Sequence, residues 1–220
     1  MSRDEQKYRR REEILRTAEE LFITRGLAST SMPDIAQRAD LNVRTIYRYY
    51  KTKEELAFEI EIKIFENMIE KLQSAAQVIS GKNGYVKTGE LLSLIENYYR
   101  LSKDEIRFTG EFDHYFTGAY PYNSLSRRFV KMLRSINNPL RSFLDEGRED
   151  GSIRGDLDTE LTVATIENTM LALAQRVVTR AEHLELEQGV SPAAMLPCLV
   201  QLIMSGIKSR CSDTITADGR

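Results

Sequence analysis

Apolar residues recur at intervals of three and four over nearly the whole chain, and that interval predicts helix. The first series, Ile14, Leu15, Ala18, Leu21 and Phe22, predicts a helix from about Gln6 to Arg25, ended by Gly26. A shorter series, Ile35, Ala36 and Ala39, follows Ser31. Asp34 stands three positions after that serine, the spacing of a capping box with Asp in place of Glu, and Pro33 falls in the first turn, where a missing N–H costs little. Asp40-Leu41-Asn42 reads as a tight turn, with Asn42 placed to cap a second short helix from Val43 to about Tyr50. Leu41 and Ile46 stand at the spacing of a hydrophobic staple, which fixes the angle at which the chain enters that helix. Two short helices joined this way predict a helix-turn-helix, whose second helix can enter the major groove of DNA.

The same pattern carries on to the C-terminus. Thr52 and Glu55 form a second capping-box spacing at the start of a long helix that runs to about Val78. Its apolar residues, among them Leu56, Phe58, Ile60, Ile62 and Phe65, spread round more than one face, which predicts burial on several sides. Ser80 to Gly84 is a break, Leu91 to Leu101 a further helix, Ile106 to Phe116 a shorter one, and Gly118 to Ser124 a loop. Phe129, Met132, Leu133, Ile136, Leu140, Phe143 and Leu144 mark a helix that Pro139 should kink or interrupt. A turn region over Gly147 to Gly155 precedes a helix from Leu161 to about His183. Ser191 is placed to cap the last long helix, with Pro192 at its first position and Pro197 in its early part. No strand pattern and no internal repeat is present. The fold class is all-α: a three-helix N-terminal helix-turn-helix domain over residues 1–52, a larger helical domain over 53–211, and a tail over 212–220 that reads as disordered.

Composition sharpens this picture at a few points. With 220 residues and 41% hydrophobic content the chain can bury real cores. Its net charge of −2 is unevenly spread: residues 1–53 hold 12 Lys/Arg against 8 Asp/Glu, and the remainder 19 against 25. A basic module on an acidic body suits phosphate contact at one end. Arg9, Arg10 and Arg11 belong to a basic segment over residues 3–11 that either lies along a phosphate backbone or forms the solvated start of the first helix. The charged N-terminus is unlike a signal peptide, and no apolar run approaches the ~18 residues of a membrane helix. Cys198 and Cys211 are too isolated for a disulfide framework or a zinc site, so a reducing cytoplasm is expected.

The candidate chemistry lies on the second short helix. Ile46 and Tyr50 share one face, while Arg44, Thr45, Tyr47 and Arg48 fall largely on the other. Arg can bind guanine O6 and N7 bidentately, Thr can touch a thymine methyl, and Tyr can donate to phosphate. Lys53 sits in the first turn of the long helix, where a cation opposes the helix dipole; a DNA phosphate at that terminus would account for it.

Residues 12 to 56 resemble the tetracycline-repressor (TetR) family of one-component transcription regulators, through Leu21-Phe22 and Gly26, Asp34-Ile35-Ala36, Thr45-Ile46-Tyr47, and Tyr50 through Lys53-Glu54-Glu55-Leu56. The chain departs from the family pattern at Asp40, a turn position usually filled by Gly, and at Val43, often polar, which points either to an apolar contact with a thymine methyl or to no base contact. The resemblance implies that Arg44, Thr45, Tyr47 and Tyr49 face DNA, with Lys53 on phosphate and Ser31 at the backbone. It also implies a homodimer, a small-molecule pocket in the second domain, and repression relieved by an unknown effector. The DNA would be a palindromic double-stranded operator.

Two features bear independently on those implications. The helices over about 158–183 and 191–210 carry more apolar surface than one short domain need bury, so two from each chain could form a four-helix bundle. The pocket is harder to read. Phe108, Phe112, His114, Tyr115, Phe116, Tyr120 and Tyr122 cluster around one short helix and loop, a pattern that serves either as core or as cavity lining, and Tyr98, Tyr99, Asn97, Asn168 and Gln175 add polar handles. His114 beside Asp113 has no second His near it, so it reads as structural rather than catalytic or metal-binding. No catalytic constellation and no cofactor motif is present. Two other readings stay open: a regulator controlled by a protein partner, and a helical enzyme or ligand carrier with a structural N-terminal bundle.

Overall fold

The computed structural model describes residues 2–121, 124–135 and 138–209. The tail over 212–220, Tyr122, Ile136 and Cys211 lie outside these residues. Among the described residues the secondary structure is helical, apart from one isolated bridge between Ile153 and Lys208.

Helix α1 (Arg3–Arg25) begins earlier than its apolar period suggests. Ser2 Oγ accepts from the Glu5 N–H at 3.1 Å, and the Glu5 carboxylate accepts from the Ser2 N–H at 2.8 Å. This capping box makes the basic segment over 3–11 the opening turns of the helix and not an extended arm. Gly26, at φ 87°, ends α1 as expected. The capping box predicted for α2 (Met32–Arg38) is present: Ser31 Oγ accepts from the Asp34 N–H at 3.3 Å, and Asp34 accepts from the Ser31 N–H at 2.8 Å. The turn to α3 (Val43–Tyr49) places Asp40 at φ 53°, the sole non-glycine positive φ among the described residues. Asp tolerates the left-handed region better than most L-residues, which is how the turn closes without Gly. Asn42 Oδ1 then caps α3 by accepting from the Arg44 N–H at 2.8 Å.

Helix α4 (Lys53–Ala76) starts at Thr52, which accepts from the Glu55 N–H at 3.2 Å. Only half of the second capping box forms, because the Glu55 carboxylate reaches back to the Lys51 N–H at 2.6 Å instead of to Thr52. Helices α5 (Gly84–Leu101) and α6 (Lys103–Tyr115) follow. Pro139 does interrupt the next helix, dividing it into α7 (Ser124–Ser135) and α8 (Pro139–Glu149), with the proline in the first turn of α8. Helix α9 (Thr159–Gln188) bends at Arg180, where φ is −133°. Ser191 makes no side-chain cap bond; a 3₁₀ turn over Pro192–Ala194 leads instead into α10 (Met195–Ile207), and Pro197 lies in its first turn.

Two hydrophobic cores result. The first joins α1 to α4, and it does not stop at the helix-turn-helix: Phe108 and Phe112 from α6 and Phe129 from α7 complete it. Phe22 stacks with Phe108 at 6.1 Å, and Phe58 meets Phe112 edge-on at 5.0 Å. The second core gathers α5, α8, α9 and α10 around Leu92, Leu140, Leu144 and Met170. Helices α5 and α8 touch backbone to backbone there, since a Cβ at Gly84 would lie 2.1 Å from the Gly147 nitrogen.

Candidate functional site

Packing of α3 sorts its side chains into two sets. Ile46 and Tyr50 are fully buried, and Val43 and Tyr49 are half-buried against the same core. Arg44, Tyr47 and Arg48 are exposed, and Thr45 is half-exposed beside them. The outward face therefore carries two guanidinium forks, a phenol and a hydroxyl, the donors that read base edges and grip phosphates. Exposed Ser31 caps α2 alongside, while Asp34 is held below its ordinary range by the hydrogen bonds from Ser31.

The opening turns of α1 extend this face. Arg3, Lys7, Arg9 and Arg10 line a cleft with Thr45, Arg48 and Tyr49 of α3. Arg10 pairs with Glu13 at 2.8 Å. Arg11 turns away from the cleft: its fork grips Glu59 on α4, and its guanidinium stacks on the Tyr50 ring at 4.7 Å. Of the three consecutive arginines, Arg9 and Arg10 stand beside α3, and Arg11 is a tie between α1 and α4.

The Lys53 ammonium is engaged within the protein. Its ammonium donates to the carbonyls of Leu27 at 2.9 Å, Ala28 at 3.1 Å and Thr30 at 3.1 Å. An ammonium has three hydrogens, so none remains for a phosphate in this arrangement. The cation at the start of α4 answers to carbonyls just past the end of α1, a partner that spacing along the sequence does not reveal. It also lies 5.1 Å from the centre of the Tyr115 ring, and the Tyr115 hydroxyl donates to Glu54 at 2.8 Å.

A cavity of about 340 Å³ lies between α4, α5, α6, α7 and α9. That size falls within the range of small-molecule sites. Of the residues expected there, Tyr99, Tyr120 and Asn168 line it. The other described candidates do not. Phe108 and Phe112 are fully buried in the first core, where the aromatic period serves packing. Exposed His114 is off the wall, Tyr115 faces Lys53 and Glu54, and Tyr98 donates its hydroxyl to Glu105. Gln175 stands behind the wall and donates to Asp113 at 2.9 Å. The lining that sequence reading missed is largely aliphatic, with Met68, Leu72, Ile95, Leu133 and Met170 among it, and it includes the rings of Phe65 and Phe129 and three acids, Glu61, Asp113 and Glu167. Glu61 is 1% exposed, in the middle of the Ile60–Ile62 apolar run, and burial drives its carboxyl well above the usual range. An acid inside such a run is the signal that could have found it. Asp113 and Glu167 are solvent-exposed at the cavity, yet desolvation raises both, and burial beside Glu167 raises the Tyr99 phenol.

Residues 14–60 match the sequence model described as bacterial regulatory proteins, tetR family. The HTH-type transcriptional repressor KstR2 of Rhodococcus jostii is 27% identical over 165 residues, covering 73% of this chain and 76% of that protein. The fatty acid degradation regulator FadR of Bacillus halodurans shares the fold over 91% of this chain and 97% of its own, with a TM-score of 0.65 at 19% identity. Thermus thermophilus FadR, a TetR-family transcriptional repressor solved in complex with lauroyl-CoA, does so over 96% and 100%, with a TM-score of 0.58 at 22% identity. Residues 14–60 thus carry the DNA-binding domain of the tetR family, and the chain is similar to DNA-binding regulators of transcription, not to enzymes.

Proposed function

We propose that this chain is a homodimeric repressor whose two copies of α3 read a palindromic operator, and that a small molecule filling the cavity releases it. The observation that carries the DNA half is the sorting of α3: apolar side chains turned into the core, Arg44, Thr45, Tyr47 and Arg48 turned out. Val43 and Tyr49 are half-buried, so they contribute van der Waals contact at the edges of the interface. Arg3, Lys7 and Arg9 supply phosphate contact that Lys53 does not. Repression finds support in the relatives, since KstR2 and the Thermus protein are both called repressors. Acting on chromosomal DNA puts the protein in the cytoplasm.

The dimer half rests on α9 and α10. Leu161 is 67% exposed and Leu202 65%, large apolar side chains that a partner copy would cover. Two such helices from each chain form an isologous bundle, and the paired recognition helices then face one side of a duplex.

The release half rests on α6, which touches both places. Thr109 and Asp113 line the cavity. Glu111 accepts from the Leu27 N–H at 3.4 Å, and Tyr115 holds Glu54. A ligand that shifts α6 also shifts the loop after α1 and the start of α4, and so the spacing of the two α3 helices.

Selection of genomic fragments by purified protein tests the proposal. The wild type should enrich a palindrome, and Arg44→Ala should weaken specific binding by about 1–3 kcal/mol while relaxing one base pair per half-site. An unchanged operator preference in that variant rejects the base-reading role of α3.

A further inference from the structure

The cavity wall has a definite charge. Glu61, Asp113 and Glu167 all line it, and among the described residues no Lys, Arg or His does. None of the three forms an ion pair among the described residues. Asp113 accepts from the neutral amide of Gln175 at 2.9 Å, and Glu167 from the amide of Asn138 at 2.6 Å. The nearest cation to bear on Glu167, Arg141, is paired with Glu160.

Glu61 is the deepest of the three and the least served. Among the described residues its one hydrogen-bond contact is the Thr109 hydroxyl at 3.4 Å, and that hydroxyl also donates to the Glu105 carbonyl at 3.1 Å. A hydroxyl has a single hydrogen, and the shorter bond claims it. A carboxyl 1% exposed to solvent therefore stands on a cavity wall with one long, shared hydrogen bond. Burying an acid this way is unfavourable unless something charged or donating completes it. Around it the wall is apolar and aromatic: Phe65, Phe129, Tyr99 and Tyr120 present ring carbons, and ring faces attract cations.

From this geometry we propose that the ligand of the cavity is a lipophilic organic cation, an amine or quaternary ammonium with an apolar body, whose charged head sits against Glu61 with Asp113 and Glu167 at its flanks. The proposal rests on the reading of the cavity as the effector site and adds the ligand's chemical class. An anionic head would meet three carboxylates and no counter-charge, so a free fatty acid is disfavoured. The raised affinity of Glu61 for protons fits the same picture, because an arriving cation favours the charged carboxylate that burial disfavours.

The test uses the full-length protein and three probes with one alkyl chain and different heads, below their micelle concentrations: decyltrimethylammonium, decanol and decanoate, with lauroyl-CoA as a fourth. Binding is read by calorimetry and thermal stabilisation, and release from a selected operator fragment by anisotropy. The cation should bind at least about tenfold more tightly than the alcohol, the preference expected of an uncompensated buried charge. Glu61→Gln and Glu167→Gln should each reduce that preference and leave decanol binding little changed. Tighter binding of decanol, decanoate or lauroyl-CoA, or equal cation affinity in both variants, overturns the inference about ligand class. Absence of binding by the cation overturns it as well. Cation binding lost in the variants but without release of DNA upholds the ligand class and rejects effector-driven release, so the two readings fail separately.

Discussion

Lys53 shows how one side chain can change meaning between chain and fold. Read along the sequence, it is a misplaced cation awaiting a phosphate; in space, it closes the open carbonyls of the Leu27–Thr30 loop. Lys53→Met should therefore cost about 1–3 kcal/mol of stability, the scale of losing charged hydrogen bonds, and leave the salt dependence of DNA binding unaltered. Lys7→Ala, beside α3, should instead flatten that dependence by about 0.9 unit of slope per protomer with little effect on melting temperature. Reversal of these two outcomes would restore Lys53 to the phosphate backbone. Glu61 gives a prediction of a different kind. Its folded carboxyl holds its proton to higher pH than an unfolded one. The folded state then binds more protons than the unfolded state, so this group's contribution falls as pH rises through the usual glutamate range toward the raised value. Glu61→Gln should melt higher than wild type at neutral pH and converge with it below about pH 4, near the ordinary glutamate titration. Melting curves across that range decide it; a constant difference at every pH would mean that Glu61 titrates normally.

Among the elements, α6 is the one that both the cavity and the reading head use. Its Tyr115 hydroxyl holds Glu54 beside Lys53. Tyr115→Phe keeps the ring and removes that bond. DNA affinity without ligand should change little, while the ligand concentration for half-release should rise by about fivefold or more, within ordinary coupling energies. Unaltered release would move the coupling to α4 alone. The short-range features of these elements were legible in the chain. Ser31 with Asp34, Asn42, the positive φ at Asp40 and the break at Pro139 follow from bonds or sterics within four residues, where sequence spacing and spatial distance nearly coincide. The cavity was not legible for the converse reason. Glu61, Tyr99, Asp113 and Glu167 come from four helices, and nothing along any one of them says which face meets the other three. Phe108 and Phe112 misled because an aromatic period looks alike in a core and in a ligand wall.

At the scale of the whole molecule, α9 and α10 leave an apolar strip that includes Leu161 and Leu202. Leu202→Glu should shift the protein from dimer to monomer in sedimentation at micromolar concentration, and binding to a full palindrome should weaken by more than to a half-site. A variant that stays dimeric would place the interface elsewhere.

The shared aromatic core bears on any attempt to transplant the reading head. A chimera cut at residue 52 would carry Phe22 away from Phe108 and divide the first core between two proteins, so the grafted head would expose its own underside. Swapping operator specificity into a foreign sensor body with this chain as donor will require moving the inward faces of α4 and α6 along with the first three helices.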